Sequence, residues 1–417
     1  MSADRYVAIV DAFSSGALLA PLFKELGFGV LHIQTSKGVD RSLSRSLRSS
    51  DFEHCIDYQE SGLEQTVEFL GRYALAAILP GCDSGVVTAD DLSARLGVGR
   101  NSAIEVMCRR SKFVMHEALR SEGLLAARQI RSDSLEEILL WYRRQPFQKV
   151  VSKPEFAARS EGVVFCDDEI DLARAFEQTI GTTNLFGIVN DKLVVQEYLP
   201  GAEYMVNTMS VDGRHFITDI WVGVDEREEP ISTDLYAELL NPRDEDYVPL
   251  ADYVCRVLAC LGVETGPAHV EVRRTPKGPA LIEIGARLAG AMSPRAFELA
   301  IGLDPVQLTV DAYVCPHRAL QALQSDRVTR NARLVYFHSD RGGTVARPAD
   351  LSEMYSLESV REVLLTVRRG DYLPKTSDTN TRPGYAYLVH ADPMRLTEDY
   401  ARFRIMEQRL YESILDA

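Results

Sequence analysis

A chain of 417 residues is long enough for two or three domains, each with its own core. Its 46% hydrophobic and 26% charged content is that of a soluble globular protein, and a formal net charge of −15 argues against non-specific binding to nucleic acid or an anionic membrane. A few lysines and a metal ion can still hold an anionic nucleotide locally. The seven cysteines are scattered, odd in number and without a CxxC pair, which fits reduced thiols in a cytoplasmic protein. No basic segment and long apolar stretch of a secretory signal precede the first strand, and no run of about 20 apolar residues suggests a membrane span.

In chain order, Tyr6-Val7-Ala8-Ile9-Val10 is a short apolar run suited to a buried parallel strand. The turn at 11–16, a helix over 17–26 stopped by Gly27, and the strand 30–33 make a βαβ start and predict an open α/β domain. The GxGxxG signature is missing, so a dinucleotide site has no support. Residues 76–80 read as a later strand of this sheet, followed by the Gly81–Gly85 loop and a helix over 86–96. Loops after strand ends face ligands in such sheets, which makes 11–15 and 81–85 candidate substrate loops, although each also reads as a plain turn.

A second unit starts near Asn101. Ser111-Lys112 opens a helix to about Arg120, and Ser134-Leu135-Glu136-Glu137 has the capping-box pattern for another, running to Arg144. Residues 149–154 form a strand that ends Lys153-Pro154, ahead of the small-residue loop 157–164. A mobile ammonium beside a Ser/Gly loop suits phosphate. Residues 193–199 are a further strand, 221–229 a charged exposed loop, and 246–262 an amphipathic helix. Helices are expected at 292–299 and 305–313. The last hundred residues read as a mixed α+β unit with strands at 332–337 and 384–390 and a helix over 395–415.

The most informative stretch is 268–287. Two Val/Ile/Leu-rich runs flank Thr275-Pro276-Lys277-Gly278-Pro279, a β-hairpin with a five-residue loop. Symmetry about Lys277 sets Glu271 opposite Glu283 and His269 opposite Gly285. Opposed residues share a face, with Cβ atoms roughly 4.5–5.5 Å apart, and like charges there repel. Such a pair needs a cation, a shared proton or open water. A hard divalent ion is the most economical cation, while two solvated surface glutamates are the plainer alternative.

Taken in order, a lysine opening a helix, a Lys-Pro strand end with a Ser/Gly loop, Gln196-Glu197-Tyr198-Leu199-Pro200-Gly201-Ala202-Glu203 and two spaced glutamates resemble the ATP-grasp superfamily over about residues 1–310. The resemblance implies an α/β and α+β protein with four parts. These are an N-terminal open α/β domain at 1–100, a small ATP-grasp subdomain at 101–195, a central domain with the metal hairpin at 196–316, and an α+β C-terminal domain at 317–417. It assigns Lys112 and Lys153 to ATP phosphates, Ser160, Gly162 and Val163 to the loop over them, and Gln196, Glu197 and Leu199 to the adenine hinge. Glu203 falls to the ribose, Glu271 and Glu283 to magnesium (manganese being the alternative ion), and Arg287 to the acyl phosphate. The pattern departs from many relatives at Gly285, where an asparagine ligand is usual. Glu283-Ile284-Gly285-Ala286-Arg287-Leu288-Ala289-Gly290 resembles bacterial L-amino-acid ligases of the bacilysin type.

The implied activity is ATP-dependent amide formation between a small acid, such as an amino acid, and an amino-acid amine through an acyl phosphate, with Lys153 and Arg287 as catalytic cations. Antibiotic-type dipeptide synthesis and a homodimer are further properties of such relatives. Asp225, Glu226, Arg227 and His269 are the candidate substrate contacts, and for each a surface or framework use is the better single reading. Two alternatives are another ATP-grasp chemistry, of the biotin-carboxylase or purine-pathway type, and an ATP-holding subunit without turnover.

Overall fold

The computed structural model describes residues 4–35, 41–102, 105–157, 160–225, 234–325 and 329–416, with the side chains of 41 and 42 left out. The chain divides into two compact units. The first comprises 1–218, 248–292 and 306–324, and the second 219–247, 293–305 and 325–417. Segments 219–247 and 293–305, expected in a central domain, thus cluster with the C-terminal part.

The first unit opens with four parallel strands, β1 (Tyr6–Val10), β2 (Gly29–Gln34), β3 (His54–Asp57) and β4 (Leu75–Pro80), in the order β3-β2-β1-β4. The strand β3 and the Tyr58–Leu70 helix were not expected from the sequence. Val7, Ala8, Ile9 and Val10 are fully buried, as an apolar run covered on both faces should be. A four-stranded antiparallel sheet follows, β5 (Gln129–Ser132), β6 (Val150–Pro154), β7 (Val164–Cys166) and β8 (Leu193–Glu197), ordered β5-β8-β6-β7. Ser134 caps the Leu135–Arg143 helix by accepting from Glu137 N–H, but the Glu137 carboxylate turns to Ser132 Oγ at 2.6 Å. Ser132 Oγ accepts from Ser134 N–H in turn, so the expected capping box runs through an extra hydroxyl.

After β8 come β9 (Ala202–Val211) and β10 (Arg214–Val224), which carries the chain into the second unit, where β11 (Tyr236–Leu239) pairs with it. The chain returns as β12 (Gly266–Thr275) and β13 (Gly278–Gly285), and β12 pairs with both β9 and β13. In the second unit β14 (Asn331–Tyr336), β16 (Val360–Leu365) and β18 (Gly384–His390) extend the order β11-β14-β18-β16. The short β15 (Gly343–Thr344) and β17 (Tyr372–Leu373) form a separate ladder. Trp221 is 4% exposed and packs on Phe297 and Tyr387, so the expected charged loop at 221–229 is strand as far as Val224. Alternating apolar residues there outweigh the run of charge that follows; Glu226 and Arg227 lie outside the described residues.

A buried arginine ties three segments of the first unit together. Arg109 Nη2 meets Asp90 Oδ2 at 2.7 Å, and its remaining donors reach the carbonyls of Ser102, Leu261 and Gly262. Removing one partner of such a pair strands a charge in a dry interior. Asp90→Ala should therefore lower stability by about 3–5 kcal/mol, as read from urea unfolding.

Candidate functional site

The hairpin carries the site, and its register differs from the expected one in an informative way. The turn has two residues, Pro276 and Lys277, with Gly278 at φ 118°. A two-residue turn alone, carried down the ladder from Thr275↔Gly278 and Val272↔Leu281, would set Glu271 opposite Ile282. Ile282 instead has no partner and forms a bulge, after which Glu271 pairs with Glu283 and His269 with Gly285. The bulge therefore brings Glu283 onto the face of Glu271, since a one-residue slip exchanges faces.

Side chains satisfy the bulged backbone. His116 Nε2 donates to the Ile282 carbonyl at 3.0 Å, and Leu281 N–H donates to Tyr253 Oη, which itself donates to Leu125 O. Burial, with help from Lys153, pushes the His116 imidazole down to about 3, so it stays neutral with the proton on Nε2. Lys112 and His116 stand one turn apart on the Lys112–Ser121 helix, which Ser111 caps by accepting from Val114 N–H. One helix face thus holds Glu283 through Lys112 and Ile282 through His116.

Across β9, β12 and β13, directly opposed residues form rows on one face: Glu203 with Arg273, Met205 with Glu271 and Glu283, and Asn207 with His269 and Gly285. Lys112 Nζ lies 3.0 Å from Glu283 Oε2 and donates to Ala157 O at 2.6 Å. Lys153, 4% exposed, is pushed down to about 8 by burial, against the pull of Glu283, Glu271 and Glu203. Burial raises both hairpin carboxyls, but their neighbours separate them. Glu283 and Glu203 add to the effect at Glu271 and hold it well above the ordinary range. Lys112 and Lys153 outweigh burial at Glu283 and bring it below. The two carboxyls are thus shifted in opposite directions, Glu271 up and Glu283 down.

Arg287 is locked. Its Nε and Nη2 donate to Asp83 Oδ2 at 2.9 and 2.7 Å, and its Nη1 to Leu288 O. Against burial, Arg287 holds the Asp83 carboxyl below its ordinary value. Asp83 follows β4 in the 81–85 candidate loop and lines the cavity with Lys112 and Glu283. Gly285 explains the fit. A Cβ there would lie 2.7 Å from Asp83 Oδ1 and 2.9 Å from Arg287 Cζ, so the pair fills the space a side chain at 285 would need.

The other expected residues are distributed more widely. Gln196 donates to Gln129 Oε1, and Glu197 N–H donates to Arg128 O, which leaves its carbonyl for any adenine contact. Leu199 lies two residues past the end of β8. Glu203 accepts from Arg273 Nη2 at 2.8 Å, a pairing the sequence did not suggest. Ser160 and Gly162 both have positive φ, and Val163 N–H closes the turn onto Ser160 O; Arg159, the expected start of this loop, lies outside the described residues. His269 Nδ1 is 2.8 Å from Asn207 Oδ1, and burial followed by Arg287 pushes it down to about 4, which makes it a neutral framework group. Asp225 falls in the second unit. Also missed were Arg110, in a cavity with Asp83, Lys112 and Glu283, and His116. Both make their contacts far along the chain, where local patterns carry no signal. Among the described residues all seven cysteines are free thiols, and no helix is long and apolar enough to cross a membrane.

Residues 147–295 match the family described as the ATP-grasp domain. Over 414 residues it is 28% identical to dapdiamide A synthase of Enterobacter agglomerans, a likeness that covers 97% of this chain and 96% of that one. L-amino acid ligase from Bacillus licheniformis shares the fold over 98% of both chains, with a TM-score of 0.76 at 18% identity. Phosphoribosylglycinamide synthetase from Anaerococcus prevotii does so over 96% of this chain and 98% of that one, at 0.66 and 13%.

The crowding at Gly285 yields a test. Gly285→Asn, which restores the usual residue, should lower ATP turnover about 100-fold by displacing Asp83 and Arg287, measured as ADP release. A gain in turnover would show that the space is free.

Proposed function

We propose that the protein joins a small carboxylate, an amino acid or similar acid, to an amino-acid amine at the expense of ATP. The observation that carries this reading is the opposed Glu271/Glu283 pair with Lys112, Lys153 and Arg287 around it. Full-length likeness to dapdiamide A synthase supports an amide ligase over other ATP-grasp chemistry.

In the first step a substrate carboxylate oxygen attacks the γ-phosphorus, the bond to the β-phosphate oxygen breaks, and ADP leaves. The amine then attacks the acyl carbon and phosphate departs, with the amine's proton lost to solvent. Catalysis of phosphoryl transfer rests on placement and neutralised charge. Lys112 and Lys153 would hold phosphate oxygens, under the turn at Ser160, Gly162 and Val163, which would also keep water from the acyl phosphate. Adenine would sit against Gln196, the Glu197 carbonyl and Leu199, with Glu203 at the ribose. Arg287, held by Asp83, would steady the transferring group with a charge that survives any working pH.

Glu271 and Glu283 fit a divalent cation. They offer hard oxygen donors on one face, and burial followed by the opposed Glu283 carboxylate raises Glu271, a like-charge contact that a dication would relieve. Magnesium, or manganese in its place, would supply charge neutralisation for the phosphates. Gly285 supplies no ligand, so the remaining positions would fall to phosphate oxygens and water.

The test is a pairwise amino-acid and small-acid screen for phosphate release, with products identified by mass. An amide product that requires both partners is the expected result; release that needs bicarbonate or a ribonucleotide, or none with any pair, would sink the reading. In the active pairing, Glu283→Gln should reduce turnover about 100-fold or more with an unchanged circular dichroism spectrum. Chelation of divalent ions should abolish turnover, and added magnesium should restore it.

A further inference from the structure

Five cationic residues of the first unit lie at or near the cavity, and three already have their charge met. Arg109 is held by Asp90 and three carbonyls, Arg287 by Asp83, and Lys112 by Glu283. Lys153, which the ligase reading gives to an ATP phosphate, and Arg110 are the exceptions. Arg110 is 9% exposed, and among the described residues its one side-chain hydrogen bond runs from Nη2 to Phe156 O at 2.5 Å. Among the described residues no carboxylate lies within ion-pair distance of it, although a guanidinium offers five N–H donors. The rings of Phe156 and Phe186 lie 5.4 and 5.6 Å from its Cζ and fix its plane. A buried cation with most donors unused is costly unless an anion arrives.

The surroundings indicate which anion. Lys153 feels Glu283, Lys112, Glu271 and Glu203, which is the side of the hairpin assigned to the nucleotide. Arg110 feels Asp83, Glu283, Cys82 and Arg287, the side where the loop after β4 meets the arginine at the acyl centre. It lines one cavity with Asp83, whose carboxylate holds the arginine assigned to the acyl centre. A rigid planar fork suits a carboxylate, which it can hold through two parallel hydrogen bonds.

We propose that Arg110 anchors a carboxylate of the small-acid or amino-acid substrate, presenting its free N–H groups into the cavity beside Asp83 and Lys112. This rests on the ligase reading above. The carboxylate could belong to the acyl donor or to the incoming amino acid, and the two sources are separable.

The experiment compares wild type, Arg110→Met and Arg110→Lys by calorimetric titration with a non-hydrolysable ATP analogue. It then titrates L-amino acids, their amides and succinate against the analogue-loaded protein. Arg110→Met should bind the analogue as wild type does, yet lose about 30-fold or more in affinity for the acids that wild type binds. Arg110→Lys should recover part of that loss. If the anchored group is the incoming amino acid's own carboxylate, its amide should bind weakly to wild type and be indifferent to the substitution. If it is the acyl donor's, the loss should appear with the acid alone, without any amine. Unchanged acid binding in Arg110→Met, loss confined to the analogue, or a wild type that binds no acid would each overturn the proposal. Should Arg110→Met fail to fold, Arg110→Lys decides, because full wild-type acid affinity there would exclude a two-pronged anchor. Binding is read without turnover, so the absence of ADP release would defeat the ligase reading while leaving the Arg110 result standing.

Discussion

Two like charges held face to face in a poorly hydrated strand pair are the constraint on which the site depends. Left alone, Glu271 and Glu283 would repel, and their neighbours shift them apart, Glu271 upward and Glu283 downward beside Lys112 and Lys153. The lysines come from a helix start and a strand end, elements fixed by capping and by the β6–β8 ladder rather than by flexible loops. Placement of charge is thus built into regular structure, and its cost is spread over a large folded unit.

The bulge at Ile282 is the geometrical device behind that constraint. Bulges leave backbone groups without ladder partners, and here His116 and Tyr253 supply those partners from two different helices. The helix that bears Lys112 therefore has a double relation to β13, binding one residue by charge and its neighbour by a neutral hydrogen bond. His116 suits the second task because burial keeps it uncharged next to two lysines.

Much of this was legible in the sequence, though not always for the right reason. Apolar runs revealed the buried parallel strands, and Ser111 and Ser134 marked helix starts that the structure keeps. The opposition of Glu271 and Glu283 was read from a five-residue loop; a two-residue turn and one bulge reach the same register, so two deviations cancelled. The family resemblance supplied the order of site residues. Asp83 and Arg110 were out of reach because their partners lie far along the chain, and a pattern within one stretch cannot report such a meeting. The charge run after Val224 hid the buried Trp221 because composition was weighed over a window wider than the strand's end.

Asp83 and Gly285 are separated by about two hundred positions, yet each occupies the room the other lacks. Neither can drift independently: an asparagine at 285 becomes tolerable only after 83 has shrunk, and the loss of Asp83 frees Arg287 at once. Descent through this protein's lineage should therefore show the two positions changing as a couple, with the usual asparagine and this aspartate excluding one another. Grafting the recurrent segment 147–295 into another ATP-grasp scaffold would carry Gly285 along and leave its counterpart behind.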